Sequence, residues 1–348
     1  MKQFYAKFKK SPAFVGFVLF LIMVVLNIII QGPVSFFSVR NIASLFKNNT
    51  PLILVTMGQL MLMLVGVIDI SIGLQMSLAN VLAIMLPIYF PAIPLPLAWF
   101  MAFVMVVIVA AINGMVVSFT RIPPLLAGFA MIYIVKGVNV LLMPRPQGSV
   151  PPIIYQTYDM RVFGFIPFSV FILLGAFLLW VFLKRTKLIK HVYAVGGNER
   201  NAFASGINTP WVKVKMYMIA GCYTGLAGLA LTAMTASGNP IMGEPYGLRS
   251  ISAAIIGGVS IAGGWGTMAS AFYGAGFFVI IQNVVFRIFS MIPRYIPGFT
   301  ATTYWQNLVF DIIVLLGLVT TILSMRHQEN RVKKELAKAI TPGGATHE

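Results

Sequence analysis

Charge is what this chain has least of. Only 9% of its 348 residues are Asp, Glu, Lys or Arg, and only 8 are acids. A soluble domain carries about 25% charged residues to keep its surface wet, so a surface this poor in charge faces something other than water. The single cysteine, Cys222, excludes an intramolecular disulfide and a Cys-based metal cage, and its apolar surroundings predict a buried, inert thiol. The three histidines, His191, His327 and His347, lie in basic or terminal segments, which leaves metal catalysis without ligands. No nucleophile beside a base and no paired acids are in view, so no covalent enzyme chemistry is expected. The chain also lacks a Gly-x-x-x-x-Gly-Lys-Ser/Thr loop and does not cradle ATP phosphates by that mechanism.

What is present is apolar and basic: 59% hydrophobic residues and 25 Lys+Arg, for a net charge of +17. The basic residues cluster between long apolar runs, which is the pattern of cytoplasmic flanks rather than of a nucleic-acid surface. Measured against the roughly 20 apolar residues that cross a bilayer, ten segments qualify as candidates. They lie at about 12–31, 50–65, 72–90, 97–118, 124–143, 165–184, 211–236, 249–262, 267–289 and 304–324. The first is long enough to span and lacks a nearby cleavage pattern, so it is predicted to be retained. The segments at 50–65 and 249–262 are short, which predicts re-entrant or broken helices there. The expected architecture is an all-α membrane protein of about ten transmembrane helices: an N-terminal stretch 1–11, a membrane domain 12–324 containing a loop 185–210, and a tail 325–348. The tail is expected to form a short solvated helix fraying after Pro342, and the proline-rich loop 144–164 a rigid connection.

Orientation follows from the basic residues. With the N-terminus cytoplasmic, seventeen of the 25 fall inside, seven (Arg40, Lys47, Arg145, Arg161, Arg249, Arg287, Arg294) fall outside, and Lys136 lies within a span. The positive-inside rule therefore places both termini in the cytoplasm.

The longest polar interruption is 184–210. Gly196 and Gly197 are predicted to open a turn, Asn198 to cap a short helix, and Ser205 with Gly206 to close it about two turns later. Such a helix serves either as a solvated linker or as a docking element that puts Ala202 and Phe203 into a partner's groove, with Glu199 and Arg200 at the rim. Ionisable residues in or near spans are the other candidates, because a charge inside a bilayer is costly. Asp69 is expected to cap the helix beginning at Ile70 or to act in gating. Lys136 and Asp311 each need a partner, and an ion pair between them is one arrangement. The span residues Gln59, Gln75, Asn80, Asn113 and Asn283 either line a path for a hydroxylated solute or bridge helices. Gly66–Gly73 and Gly258–Gly266 both set Gly and Ser between apolar runs, but the match is too short to establish a repeat.

Several stretches carry a resemblance. Ala194-Val195-Gly196-Gly197-Asn198 followed by Ala204-Ser205-Gly206-Ile207 resembles the coupling segment of sugar-importing ABC permeases, the group handling ribose, xylose, galactose and autoinducer-like sugars. Gly66-Val67-Ile68-Asp69-Ile70-Ser71-Ile72-Gly73 resembles the family's Gly-Ile-Asp-Leu-Ser-Val-Gly stretch. Ile112-Asn113-Gly114 with Arg121-Ile122-Pro123-Pro124, Lys136-Gly137, and Ile256-Gly257-Gly258 with Ser260–Gly266 are similar to further family signatures, in order over about residues 40–320. The resemblance implies a non-catalytic permease subunit in a bacterial cytoplasmic membrane. It would bind no cofactor directly, with ATP hydrolysed on a separate ATPase subunit. It would pair with a second copy or a different permease and receive an extracytoplasmic solute-binding protein. Where relatives commonly read Gly-Tyr-Glu-Leu-Asp-Ala-Ile-Ala, this chain has Pro245-Tyr246-Gly247-Leu248-Arg249-Ser250-Ile251-Ser252, a loss of acids that points to a heteromeric pairing. Permeases for nucleosides or branched-chain amino acids share much of the glycine patterning, and an ion-coupled secondary transporter or channel is the alternative from another class.

Overall fold

Inside a bilayer every backbone amide needs an internal partner, so apolar runs of this length become helices. The computed structural model describes residues 11–292, 302, 304–319 and 323. Its helices are α1 (Ala13–Gln31), α2 (Pro33–Phe36), α3 (Val39–Leu64), α4 (Ile72–Tyr89), α5 (Leu95–Thr120) and α6 (Pro124–Leu142). They continue with α7 (Pro152–Asp159), α8 (Phe168–Lys184), α9 (Lys187–Gly197), α10 (Glu199–Ala204), α11 (Thr209–Thr235), α12 (Glu244–Ile256), α13 (Met268–Met291) and α14 (Tyr304–Val319). By length and apolarity six helices can cross a membrane alone, namely α1, α4, α5, α6, α11 and α13, and α8 with α9 forms a pair bent by 82°. The tail 325–348 lies outside the described residues.

Each of the ten expected segments overlaps a helix, but two boundaries move. The short segment at 50–65 is the C-terminal half of α3, a 26-residue helix whose N-terminal half is more polar. From Thr50 to Leu64 every α3 residue is buried, which makes α3 the axis of the bundle. The segment expected at 249–262 is α12, which starts at Glu244 and has 13 residues, about 20 Å at 1.5 Å per residue and too short to cross.

The chain reaches α12 by a non-helical segment, 236–243, packed along α4, so the broken-helix expectation holds at 249–262; at 50–65 it does not, because α3 runs unbroken from Val39 to Leu64. Asn80 holds the first residues of the 236–243 segment: Nδ2 donates to the Ser237 carbonyl at 3.0 Å, and Oδ1 accepts from the Asn239 amide at 2.8 Å. Lower down, the Gly243 amide donates to Ser77 Oγ at 2.7 Å, and Asn139 Nδ2 to the Pro240 carbonyl at 3.0 Å. Without these side chains the backbone would be unsatisfied at membrane depth.

The connection 144–164 is more ordered than a plain loop. It holds β1 (Gln147–Ser149), α7 and β2 (Arg161–Val162), which forms a hairpin with β3 (Ile166–Pro167) just past its end, and β1 pairs antiparallel with β4 (Ser237–Gly238). Small residues let helices meet at backbone distance: a methyl group on Gly228 would strike the Met76 carbonyl and Ala79 of α4, and one on Gly274 would strike the Ala253 carbonyl of α12.

Candidate functional site: the coupling junction and the Asp69 cluster

The interruption at 185–210 folds as two helices. α10 is capped as its sequence predicts: Asn198 Oδ1 accepts from the Asn201 amide at 2.9 Å. It closes through Gly206, at φ 83°, with the Gly206 amide donating to the Phe203 carbonyl and Ile207 to Ala202. That pair of bonds is the Schellman arrangement, for which glycine supplies the left-handed residue. Two expectations need correction. Gly196 and Gly197 do not open a turn; they are the last residues of α9. Ala202 is 5% exposed and packs inward, so it is not offered to a partner, whereas Phe203 is 67% exposed. Glu199 pairs with Lys213 of α11 at 2.7 Å, which ties α10 to the bundle, and Arg200 stands exposed beside it. Arg200, Phe203, Glu199, Arg121 and Ser118 border an open groove beneath α5 and α6.

The helix is glycine at Gly196 because nothing larger fits. A Cβ there would fall on the Leu64 carbonyl, with the Gly264 amide next to it. Gly264 itself donates to the Leu64 carbonyl at 3.0 Å, and Tyr193 Oη donates to the Gly266 carbonyl at 2.8 Å. α3 ends here in its own Schellman motif, with Gly66 at φ 73° and the Val67 amide bonded to Leu62. A Cβ on Gly263 would touch Gly66 and the Gly196 carbonyl. The two glycine-rich stretches whose similarity was too short to establish a repeat therefore converge on the end of α9. No sequence pattern marks Tyr193 or Leu64 as members of this junction.

Three residues past Gly66 lies Asp69, 1% exposed. One carboxylate oxygen accepts from the Ser71 amide at 2.8 Å and Ser71 Oγ at 2.6 Å, and the other accepts from Asn113 Nδ2 at 2.8 Å. Gln75 Nε2 reaches Ser71 Oγ at 2.8 Å and the carboxylate at 3.4 Å. Gly128 of α6 leaves room for the carboxylate, which a Cβ there would meet at 3.0 Å. The expectation that Asp69 caps a helix starting at Ile70 is displaced: α4 starts at Ile72, and Asp69 binds the turn before it while fastening α5. The carboxyl group is held by hydrogen-bond donors instead of by a cation.

The Lys136–Asp311 ion pair, one arrangement the sequence left open, does not form. Lys136 Nζ lies 2.9 Å from Glu244 Oε2 at the start of α12, and Asp311 stands exposed on α14. Of the span amides, Gln75, Asn80 and Asn113 bridge helices or breaks, Asn283 accepts from Asn27 at 3.0 Å, and Gln59 is buried with neither carboxamide atom partnered. Cys222 is half-buried. Among the described residues no group of His, Cys, Asp and Glu could hold a metal ion.

The chain matches, over residues 41–319, the family model described as branched-chain amino acid transport system / permease component. It is similar to the ribose import permease protein RbsC of Bacillus subtilis, 30% identical across 89% of this chain and 92% of that one. It is 26% identical to the galactose/methyl galactoside import permease protein MglC of Haemophilus influenzae, across 86% of this chain and 91% of that one. The D-allose transport system permease protein AlsC of Escherichia coli is 29% identical across 72% of this chain and 77% of that one. No solved structure matches.

Proposed function

Since the chain belongs to the family of branched-chain amino acid transport system permease components, we propose that it is the membrane permease subunit of an ATP-driven importer for a sugar or sugar-like solute. The family description names amino acids, whereas the relatives quoted above are named for ribose, galactose and allose, which favours the sugar reading. The chain would hydrolyse nothing itself. ATP would be consumed by a separate ATPase subunit below the cytoplasmic face, a solute-binding protein would deliver from the other side, and a second permease, identical or different, would complete the assembly. Both termini would be cytoplasmic, as the distribution of basic residues favours.

The observation that carries this reading is the seating of α9 and α10. A short capped helix offers Phe203 and Arg200 outward, and the helix before it rests by backbone contact on the end of α3 and on the Gly258–Gly266 turn. A push on α10 would therefore reach both breaks of the bundle without passing through flexible side chains. Asp69, Ser71 and Asn113 would hold the start of α4 against α5 while α3 and α12 move. Lys136, through Glu244, would link α6 to α12. Asp311 has no assigned partner in this scheme.

The test is co-reconstitution. Liposomes holding this chain with its ATPase and binding protein should accumulate solute on ATP addition, and Phe203→Glu should abolish accumulation while leaving the amount of folded permease unchanged. ATP-independent, ion-gradient-driven uptake by this chain alone would overturn the reading in favour of a secondary transporter.

A further inference from the structure

On the side of the bundle away from α10, a cavity of about 320 Å³ opens between α3, α12 and α13. Its wall differs from the other membrane-depth hollows. The two grooves flanking α3 on its α1 and α8 sides are lined almost wholly by Phe, Ile, Leu, Val and Met, as lipid-facing surfaces are. Here Asn48 and Asn49 of α3, Tyr246 and Arg249 of α12, and Gln282 and Asn283 of α13 converge.

Arg249 is the unusual member. The residue is half-buried, its guanidinium sits over the Phe310 ring at 5.4 Å, and no carboxylate of the described residues lies within ion-pair distance. Of the described acids, Asp159, Glu199 and Glu244 are committed to lysines and Asp69 to its own cluster, and Asp311, next to Phe310 in the chain, stands exposed and outside ion-pair distance of Arg249. A guanidinium at this depth without a counter-charge is costly, and its planar fork matches a carboxylate or phosphate in bidentate fashion. The amides and the phenol around it offer the mixed donors and acceptors that hydroxyl groups need.

A second observation lies beneath. The cavity-lining residues Leu45, Asn48, Asn49 and Leu52 form one stripe of α3, and two turns further along that stripe comes Gln59, since seven residues return a helix to nearly the same face. Gln59 is fully buried with both carboxamide atoms unpartnered. Leaving them so is unfavourable unless another state supplies partners.

We infer that this cavity is a solute-binding station on the extracytoplasmic half of the path, specific for an anionic polyhydroxy solute such as a sugar acid. Arg249 takes the acid group, the surrounding amides take hydroxyls, and Gln59 is the next station inward once the Leu52 floor moves. This inference rests on the importer reading and narrows its solute class.

The test uses the permease with its ATPase subunit in phosphatidylcholine nanodiscs, carrying Gln282→Cys in a Cys222→Ala background, and reads the rate of thiol labelling by N-ethylmaleimide. D-gluconate should protect the thiol with an apparent affinity at least about tenfold better than D-galactose, the scale of one charged hydrogen-bonded contact. Arg249→Gln should erase that difference, and Arg249→Lys should retain part of it. Equal protection by the two compounds, protection by inorganic phosphate matching that of gluconate, or no protection by any of them would each overturn the inference. So would protection conferred by phosphatidylglycerol alone when it replaces phosphatidylcholine, which would make the site a lipid headgroup site. Failure of the ATPase to co-purify with the unsubstituted chain would sink the importer reading instead, and that readout is independent of the labelling.

Discussion

Gly66 and Asp69 stand three residues apart on one connection, yet they belong to regions built on opposite principles. Around Gly66 the chain is held backbone to backbone: Gly196, Leu64, Gly263 and Gly264 meet without side chains, and the bonds across the contact are those from the Gly264 amide to Leu64 and from Tyr193 to Gly266. Around Asp69 side chains do the holding, with Ser71, Gln75 and Asn113 all donating to one buried carboxylate. Backbone contact of the first kind transmits a push but fixes orientation weakly, because few directional bonds cross it. A carboxylate saturated by donors on three sides does the reverse. The difference assigns the bend to the residues between, Gly66 to Ile68, where the left-handed glycine already turns the chain out of α3.

The harshest way to break the comparison is Gly196→Val. A branched side chain there is driven onto the Leu64 carbonyl, which cannot move without displacing α3. Overpacking in cores costs about 1–3 kcal/mol and more against backbone, so loss of the monodisperse folded permease is expected by size-exclusion chromatography. Gly197→Ala is the control: nothing lies within 4 Å of a Cβ there, and the helix should gain a few tenths to about 1 kcal/mol. Should Gly196→Val behave like the unsubstituted chain, the junction is not a backbone contact.

Asp69→Leu attacks the other region. It leaves the donors of Ser71 and Asn113 buried without an acceptor, at about 1–3 kcal/mol each, so thermal unfolding should shift down by the equivalent of several kcal/mol. Asp69→Asn keeps one acceptor oxygen and should lose less. Equal losses for the two would mean that charge, rather than hydrogen-bond geometry, holds the cluster.

A smaller effect is expected at α10. Asn198→Ala removes the side chain that caps the Asn201 amide, worth about 1 kcal/mol. The loss should appear as faster hydrogen exchange confined to residues 199–206 rather than as a lower global melting point. Exchange spreading to 62–67 would show that the junction is coupled more tightly than its few directional bonds suggest.

How much of this was legible in advance depends on the range of the interaction. The cap of α10 and its Gly206 exit were readable because Asn198, Ser205 and Gly206 act on atoms within a few residues. The apolar runs located all ten segments, since burial in lipid demands only composition and length. The polar N-terminal half of α3 escaped because Val39–Asn49 has the composition of a loop, and what makes it helical is its continuation into a buried axis. Asp311 was one arrangement offered for Lys136 when its partner is Glu244, and the docking reading turned Ala202 outward when it packs inward. The first misses because a partner more than a hundred residues away leaves no trace in local spacing, and the second because a six-residue helix has too few positions to show which face it buries. Gly196 was noticed as glycine but misread as a turn former, since a residue kept small for close approach and one kept small for conformational freedom look alike in sequence.

The last prediction concerns what joins the two regions on their far side. Lys136 belongs to α6, which leans on Asp69 through Gly128, and Glu244 opens α12, which descends to the glycine turn. Among the three described ion pairs, this one bridges the side-chain region to the backbone region. The two side chains are 37% and 44% exposed, on a face at the depth of the helices. If that face is wetted as part of a solute path, Lys136→Met should lower stability by no more than about 1 kcal/mol, the usual worth of an exposed pair. If the face met hydrocarbon, stranding Glu244 would cost distinctly more. We expect the small value, together with recovery in the charge-reversed pair Lys136→Glu with Glu244→Lys, measured by denaturant unfolding as a double-substitution cycle. A loss of several kcal/mol would instead make the pair a structural rivet, and the two regions would then be bound to move as one.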